Sequence, residues 1–118
     1  MIEINLHGCN RIVFLTKRYA FKVPNCRNFF QFCWGLIDNM HERRVWKAGH
    51  AGICPLVFSI PGGFLNVMPR ARVMTEEEFA SFDSVAFRNR GDYWLTAEDK
   101  ASSFGWLNGE IVALDYGN

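Results

Sequence analysis

A helical repeat over residues 25–49 separates two groups of short β-like segments, and it limits the folds open to this chain. Asn25 or Asn28 supplies a capping side chain at the start of the helix, and Gly49 stands where a C-terminal cap is expected. The pattern predicts one helix of about five turns. Its apolar residues recur at steps of three and four, as on one helix face: Phe29, Phe32, Cys33, Leu36, Ile37 and Met40.

Three strands are predicted before this helix. Residues 2–6 alternate between apolar and polar side chains, and residues 11–16 form an apolar, partly β-branched run. Residues 19–23 resume the pattern after a break at Lys17. Pro24 ends the third strand because proline has no N–H to donate to a sheet.

Two strands and a short helix are predicted after the long helix. The apolar runs over residues 53–60 and 64–68 are separated by Pro61-Gly62-Gly63, whose glycines suit a tight reversal. Thr75 then precedes three glutamates, a combination that caps a helix and complements its positive end. We expect this helix to continue to about Asp83.

The C-terminal residues predict a β-hairpin. Asn108-Gly109 favours a type I′ turn, and the second strand leads to Asp115-Tyr116-Gly117. Residues 84–101 have a mixed pattern that predicts no clear element. We therefore expect one α+β domain over residues 1–118: an antiparallel sheet of about five strands with one long helix, then a short helix and the hairpin.

Composition and charge argue against several classes of protein. The chain has 118 residues, is 49% hydrophobic and has a formal net charge of +1, so nucleic-acid binding is unsupported. It has no apolar run of the roughly 20 residues that span a bilayer and no signal-peptide profile, which predicts a cytoplasmic protein without a membrane partner. Its cysteines form no C-x-x-C pair and its histidines are scattered, so we expect free thiols and neither zinc nor haem.

Four features follow one another in an order that resembles a protein-kinase small lobe joined to a catalytic hairpin. Phe21-Lys22-Val23 is similar to the Ala-Ile-Lys motif of the third strand, and Glu42 lies 20 residues after the lysine, on the long helix. Val67-Met68-Pro69-Arg70-Ala71 is similar to the hinge segment after the fifth strand. Asp115-Tyr116-Gly117 is similar to the Asp-Phe-Gly motif.

The resemblance implies a nucleotide site and a role for each of these residues. Lys22 would neutralise the phosphates of ATP, and Glu42 would hold Lys22 in place. Backbone groups near Met68 would bind the adenine. Asp115 would bind Mg²⁺.

The sequence departs from the kinase pattern in the parts that carry catalysis. Ser102 or Ser103 stands in place of the catalytic-loop asparagine, and a hydroxyl is a poorer Mg²⁺ ligand than an amide oxygen. Counted back from Asp115, the general-base position falls on Glu98 or Asp99, and Asp99 is the candidate general base. Gly8 alone represents the glycine-rich phosphate loop. These losses predict weak catalysis.

The resemblance also divides the chain into two parts. Residues 1–68 would be small-lobe-like, and residues 69–118 a reduced remnant of the large lobe without a platform for a protein substrate. The leading hypothesis is thus a kinase-like protein that binds a host protein or a nucleotide without efficient catalysis. The alternative is a minimal Mg-ATP-dependent phosphotransferase. The whole sequence further resembles small proteins of bacteriophages and prophages, a resemblance that by itself implies no activity. A phage setting would make host takeover or anti-defence in the cytoplasm of a bacterial host a natural role.

Arginine and aromatic residues suggest a partner surface between residues 70 and 94, because both types are enriched at interface hot spots. The competing interpretation is that the arginines are simply solvated and Trp94 belongs to the core. A third hypothesis assigns the arginines and Trp94 to a nucleic-acid surface, since arginine contacts phosphates and tryptophan stacks on bases. Aromatic residues on several faces of the long helix favour a homodimer unless another surface covers them. The partner surface consists of Arg70, Arg72, Arg88, Arg90, Tyr93 and Trp94.

Overall fold

The computed structural model describes residues 2–5, 10–90, 93–95 and 97–117. The predicted α+β class is confirmed: a five-stranded antiparallel sheet carries one long helix, and short helices and a three-stranded antiparallel sheet follow. The first part contains β1 Glu3–Asn5, β2 Arg11–Leu15, β3 Tyr19–Pro24, α1 Phe29–Lys47, β4 Phe58–Ile60 and β5 Leu65–Pro69. The second contains β6 Arg72–Val73, α2 Glu76–Ala80, α3 Ser84–Arg88, β7 Asn89–Arg90, β8 Tyr93–Trp94, a 3₁₀ turn Ala101–Ser103, β9 Phe104–Leu107 and β10 Glu110–Ala113.

The larger sheet has the strand order β1-β2-β3-β5-β4, and every neighbouring pair is antiparallel. The strand predicted over residues 53–60 is shorter than expected, because only Phe58–Ile60 pairs in this sheet. Pro55 has no N–H to donate, and Ile53 instead forms a parallel bridge with Ala113. Residues 52–54 therefore connect the larger sheet to β10.

Both predicted glycine turns form. Gly62 and Gly63 have φ angles of +92° and +84°, which place the β4–β5 turn in the left-handed region that glycine tolerates. Asn108 and Gly109 have φ angles of 52° and 81°, as a type I′ turn requires. Their positions fix the register of β9 against β10, in which Glu110 pairs with Leu107.

Helix α1 is capped as the sequence predicts. Asn28 is the N-cap, and its side-chain oxygen accepts a hydrogen bond from Gln31 N at 3.2 Å. Gly49 follows the last turn with a φ angle of 77°, and its N–H donates to the Trp46 carbonyl at 3.0 Å. Asn25, the other capping candidate, is buried and accepts a hydrogen bond from Arg27 N.

The buried face of α1 is polar, and its apolar face is exposed. The side chains turned to the sheet and core include Asp38, Asn39 and Glu42 beside Gly35 and Val45. The exposed positions carry the large apolar residues Phe29, Phe30, Trp34, Ile37 and Met40. The helix is thus held by a polar network, and its apolar pattern lies on the outside of the described structure.

The residues between β6 and β7 fold into two short helices rather than the single one predicted. Helix α2 has the expected capping box, in which Thr75 Oγ1 accepts from Glu78 N at 3.1 Å. It ends at Ala80 and not at Asp83, because the Asp83 side chain caps the next helix by accepting from Ala86 N. An aromatic cluster fills the core below them, formed by Phe79, Phe82, Phe87 and Phe104.

The second sheet has the strand order β10-β9-β6, and β7 pairs separately with β8. Cys54 N donates to the Ala113 carbonyl at 2.9 Å, and Ala113 N donates to the Gly52 carbonyl at 2.8 Å. These bonds hold the end of β10 against residues 52–54, which follow α1. Among the described elements, no helix combines the length and apolar character that a membrane span requires.

Candidate functional site

A cleft of about 760 Å³ opens where β2 and β3 meet the segment after β5 and the segment around Asp115. Along β2 its wall changes from charged to apolar, because Arg11 begins the strand and Val13 and Leu15 follow on the same face. The charged part contains Arg11, Lys22, Asp38 and Asp115. The apolar part contains Val13, Leu15, Met68, Ala71 and Leu114.

The predicted pair between Lys22 and Glu42 is present at the charged end. Strand β3 points Lys22 toward the cleft, and α1 presents Glu42 behind it, with Nζ 3.1 Å from Oε2. Lys22 Nζ also donates to the Leu114 carbonyl. Both side chains are buried, so the ammonium group is fixed between α1 and the segment that leads to Asp115.

Arg11 is a second buried cation in the same cluster, and no sequence motif points to it. Its Nη1 lies 3.0 Å from Glu42 Oε2 and 3.0 Å from Asn39 Oδ1. Its Nη2 lies 2.5 Å from Asp115 Oδ1. Arg11, the first residue of β2, therefore contacts both predicted acidic residues of the site, Glu42 and Asp115.

A layer of asparagines supports this cluster from beneath. Asn39 Nδ2 donates to the carbonyls of Lys22 and Gly63, each at 3.0 Å. Asn66 Nδ2 donates to the Asn39 carbonyl at 3.0 Å and to Glu42 Oε1 at 3.3 Å. Both carboxylate oxygens of Glu42 are thereby hydrogen-bonded, which a buried ion pair requires if it is not to be strongly destabilising.

Burial and neighbouring charges together shift the pKa values of Glu42, Lys22 and Arg11. Burial raises the pKa of Glu42, but the positive charges of Arg11 and Lys22 outweigh it and hold the pKa below its usual value. Burial lowers the pKa of Lys22. Burial also opposes the charge on Arg11, yet Glu42 and Asp115 raise its pKa above the usual value. Arg11 is consequently a permanent cation.

Asp115-Tyr116-Gly117 is held against α1 and against Cys54, in the segment that follows α1. Tyr116 is fully buried, and its hydroxyl donates to the Cys54 carbonyl at 2.7 Å. Gly117 packs so closely on α1 that a Cβ there would collide with the Asp38 carbonyl. His41 Nδ1 lies 3.3 Å from the Gly117 carbonyl. These contacts fix the position from which Asp115 reaches Arg11.

No family model, curated protein or solved structure matches this chain.

Asp99, the candidate general base, is directed away from the charged cluster. Its carboxylate accepts a hydrogen bond from Ser84 Oγ at 2.7 Å and lies 3.5 Å from Arg88 Nη2. The neighbouring residues Glu98 and Lys100 line the cleft instead. The structure thus places Asp99 with α3 and does not bring it together with Lys22 and Glu42.

The two serines in the asparagine slot have different surroundings. Ser102 lines the cleft, whereas Ser103 is fully buried in the 3₁₀ turn. Within the described part of the chain, Ser103 Oγ has no hydrogen-bond partner. Ser102 is accordingly the one that faces the cleft. Gly8 and its neighbours lie outside the described residues.

The partner surface predicted from arginines does not form as one exposed patch. Arg88 is buried, where Nη2 donates to the Ala97 carbonyl at 2.7 Å and the guanidinium lies over the Phe104 ring. Arg70 binds Glu3, and Arg72 binds Glu78. The side chains of the other three members, Arg90, Tyr93 and Trp94, lie outside the described part of the structure.

The sequence contains one signal that would have located the buried polar cluster. Asp38, Asn39 and Glu42 recur at steps of three and four on α1, as does Gly35. A polar repeat at helical spacing is usually assigned to solvent. Here it faces β3 and β5, because the lysine and the asparagine of those strands provide polar partners for it.

Proposed function

We propose that the cleft binds a nucleotide in a kinase-like arrangement. The observation that carries this proposal is the Lys22–Glu42 contact at the charged end of a cleft whose other end is apolar. The order of three strands, a long helix and two strands supports it, since the resemblance drawn from the sequence has the same order.

The two parts of the cleft suit the two parts of a nucleotide. A planar base is favoured by apolar side chains, and Val13, Leu15 and Met68 provide them. Phosphate is favoured by fixed cations, and Lys22 and Arg11 provide these next to the apolar end. A volume of about 760 Å³ falls within the range of small-molecule sites.

We propose binding rather than efficient phosphoryl transfer as the function. Phosphoryl transfer depends on positioned groups that orient the attacking hydroxyl and stabilise the transferred charge. Asp99 is directed to Ser84 and Arg88, and Glu98, which lines the cleft, pairs with Lys100 at 2.7 Å. A free general base at either position would therefore require residues 97–100 to rearrange. A nucleotide-dependent conformational or partner-binding role requires no such rearrangement.

A fluorescence titration with a ribose-labelled ATP tests the proposal. We expect saturable binding to the wild type and at least about tenfold weaker binding to Lys22→Met, because a charge-assisted hydrogen bond contributes about 1.5–3 kcal/mol. Lys17→Met is the matched control, since Lys17 is exposed and its loss changes the net charge equally.

A second variant covers the case in which Lys22→Met does not fold. Ala71 lines the apolar part of the cleft and is only partly buried, so Ala71→Trp fills the base site without touching the charged cluster. It should abolish binding while circular dichroism stays unchanged. Absence of binding to the wild type at millimolar nucleotide would contradict the proposed function.

The exposed face of α1 favours a second function, the binding of a protein partner. Phe29 is 77% exposed, Phe30 is 75% exposed and Trp34 is 55% exposed, and adjacent apolar side chains on one face are typical of protein-binding surfaces. A protein of a bacterial host is the partner that the resemblance to phage proteins suggests. Size-exclusion chromatography with light scattering first tests for a homodimer, and Trp34→Ser should abolish any that forms.

A further inference from the structure

We infer that the cleft binds its nucleotide without a divalent cation, with Arg11 in the position that a metal would otherwise occupy beside Asp115. The inference rests on the proposed nucleotide site and specifies the form of the ligand: a nucleotide phosphate that is neutralised by side chains alone. It differs from the expectation, drawn from the kinase resemblance, that Asp115 binds Mg²⁺.

The Asp115 carboxylate already has a cation. Arg11 Nη2 lies 2.5 Å from Asp115 Oδ1, and the same guanidinium is fixed on its other side by Glu42 and Asn39, each at 3.0 Å. Arg11 is only 8% exposed. A metal at Asp115 would have to displace this guanidinium or share the carboxylate with it at close range, and both are opposed by charge repulsion.

The other oxygen ligands that Mg²⁺ requires are also poorly provided. Asp38 is the second acid at the charged end, but its carboxylate accepts from Asn10 Nδ2 at 3.3 Å and burial raises its pKa, which disfavours the anion that a metal prefers. Ser102 contributes a neutral hydroxyl. In the described ranges, no group of three histidine, cysteine, aspartate or glutamate side chains has the geometry of a metal site.

The cleft has positive side chains that can neutralise phosphate without a metal. Lys22 and Arg11 line its charged end, and Arg70, Arg72 and Lys100 line its rim. The rim side chains pair with Glu3, Glu78 and Glu98, acids that are accessible to solvent, and surface pairs of this kind are worth only about 0–1 kcal/mol. They can therefore exchange an acid for a phosphate at little cost, which supplies positive charge that a metal would otherwise bring.

The first test compares binding of ribose-labelled ATP in excess EDTA and in excess magnesium chloride. We expect binding in EDTA, and equal or weaker binding with magnesium because magnesium removes the free nucleotide. Binding that occurs only with magnesium would overturn this inference and leave the proposed nucleotide site standing. Binding in neither condition would overturn both.

The second test follows Mn²⁺ by electron paramagnetic resonance and needs no nucleotide. We expect no tight Mn²⁺ binding to the wild type. Arg11→Gln frees Asp115 but adds no further oxygen ligand, so it should gain only weak Mn²⁺ binding, and this gain should disappear in Arg11→Gln with Asp115→Asn. Wild-type Mn²⁺ binding that is lost in Asp115→Asn would overturn the inference. The wild type and Asp115→Asn both keep Arg11, so their comparison shows whether Asp115 binds a divalent cation even if Arg11→Gln does not fold.

Discussion

Lys22 Nζ lies 3.1 Å from Glu42 Oε2, and this contact joins the centre of the larger sheet to the centre of α1. Arg11 shares the same carboxylate oxygen at 3.0 Å. Two cations thus converge on one buried acid. The position of α1 relative to β2 and β3 depends on that acid more than on apolar packing, because the apolar residues of the helix are largely on its outer face.

Glu42→Gln should strongly destabilise the fold. The amide keeps the shape of the side chain but leaves Arg11 and Lys22 without a buried counter-charge, and breaking a buried pair costs about 3–5 kcal/mol. Urea unfolding followed by circular dichroism measures the loss. Glu77→Gln is the control, since Glu77 is exposed on α2 and its change should stay within about 0.5 kcal/mol. Similar stabilities for both variants would disprove the central role of Glu42.

Tyr116→Phe should lose one hydrogen bond and keep its packing. The Tyr116 hydroxyl donates to the Cys54 carbonyl at 2.7 Å in a fully buried site, so its removal leaves that carbonyl unsatisfied, at a cost of about 1–3 kcal/mol. The unfolding midpoint in urea is the measurement. Tyr19→Phe makes the same chemical change at an exposed ring and should have little effect. Equal midpoints for the two variants would show that this bond does not anchor the segment.

Gly63→Ala should be more destabilising than Gly62→Ala. Both glycines have left-handed φ angles, which costs an alanine about 1–2 kcal/mol at either position. Only at Gly63 would the new Cβ also collide with the Leu36 carbonyl of α1, whereas at Gly62 it meets the movable Phe64 ring. Thermal unfolding of the two variants isolates this close approach, and an equal loss in both would contradict it.

The acid titration of Glu78 should depend on Arg72. Hydrogen bonds from the Arg72 guanidinium and then from Thr75 N lower the Glu78 pKa from 4.5 to about 2. Because the folded pKa is the lower one, the stabilising effect is present above pH 4.5 and is lost as the pH falls toward 2. Carbon-detected NMR should show the Glu78 midpoint rising in Arg72→Met.

The control for this titration is Arg70→Met, because Arg70 binds Glu3 instead of Glu78. It should leave the Glu78 midpoint unchanged. Both residues of the Arg72–Glu78 pair are accessible to solvent, so added salt should raise the midpoint in the wild type. An Arg72→Met midpoint that remains near the wild-type value would show that the capping box alone holds the Glu78 pKa down.

The sequence was sufficient to predict the features that depend on local chemistry. The Thr75–Glu78 capping box, the Asn108-Gly109 turn and the α+β class all follow from short-range preferences. The Lys22–Glu42 contact is not local, but both residues lie on elements with clear periodicity, so the resemblance to a kinase small lobe was enough to pair them.

The features that the sequence did not reveal depend on contacts between distant elements. Arg11 begins an ordinary β-strand, and its partner Asp115 is 104 residues away. The sequence also did not reveal which face of α1 is buried, because a helix with apolar and polar repeats on different faces can bury either one. Asn66 and Lys22 in the neighbouring strands decide that question, and their joint effect is not visible in any single segment.

The contact between Arg11 and Asp115 also has a consequence for folding kinetics. Closing so long a loop is slow, and proteins whose contacts join distant residues fold more slowly than those with local contacts. Lys22 and Leu114, 92 residues apart, meet at the same place. The larger sheet can therefore form before the cleft exists, and a folding intermediate with that sheet alone would expose Arg11 and Lys22 to water. Recovery of ligand binding should consequently lag behind recovery of secondary structure when the denatured chain is returned to native conditions.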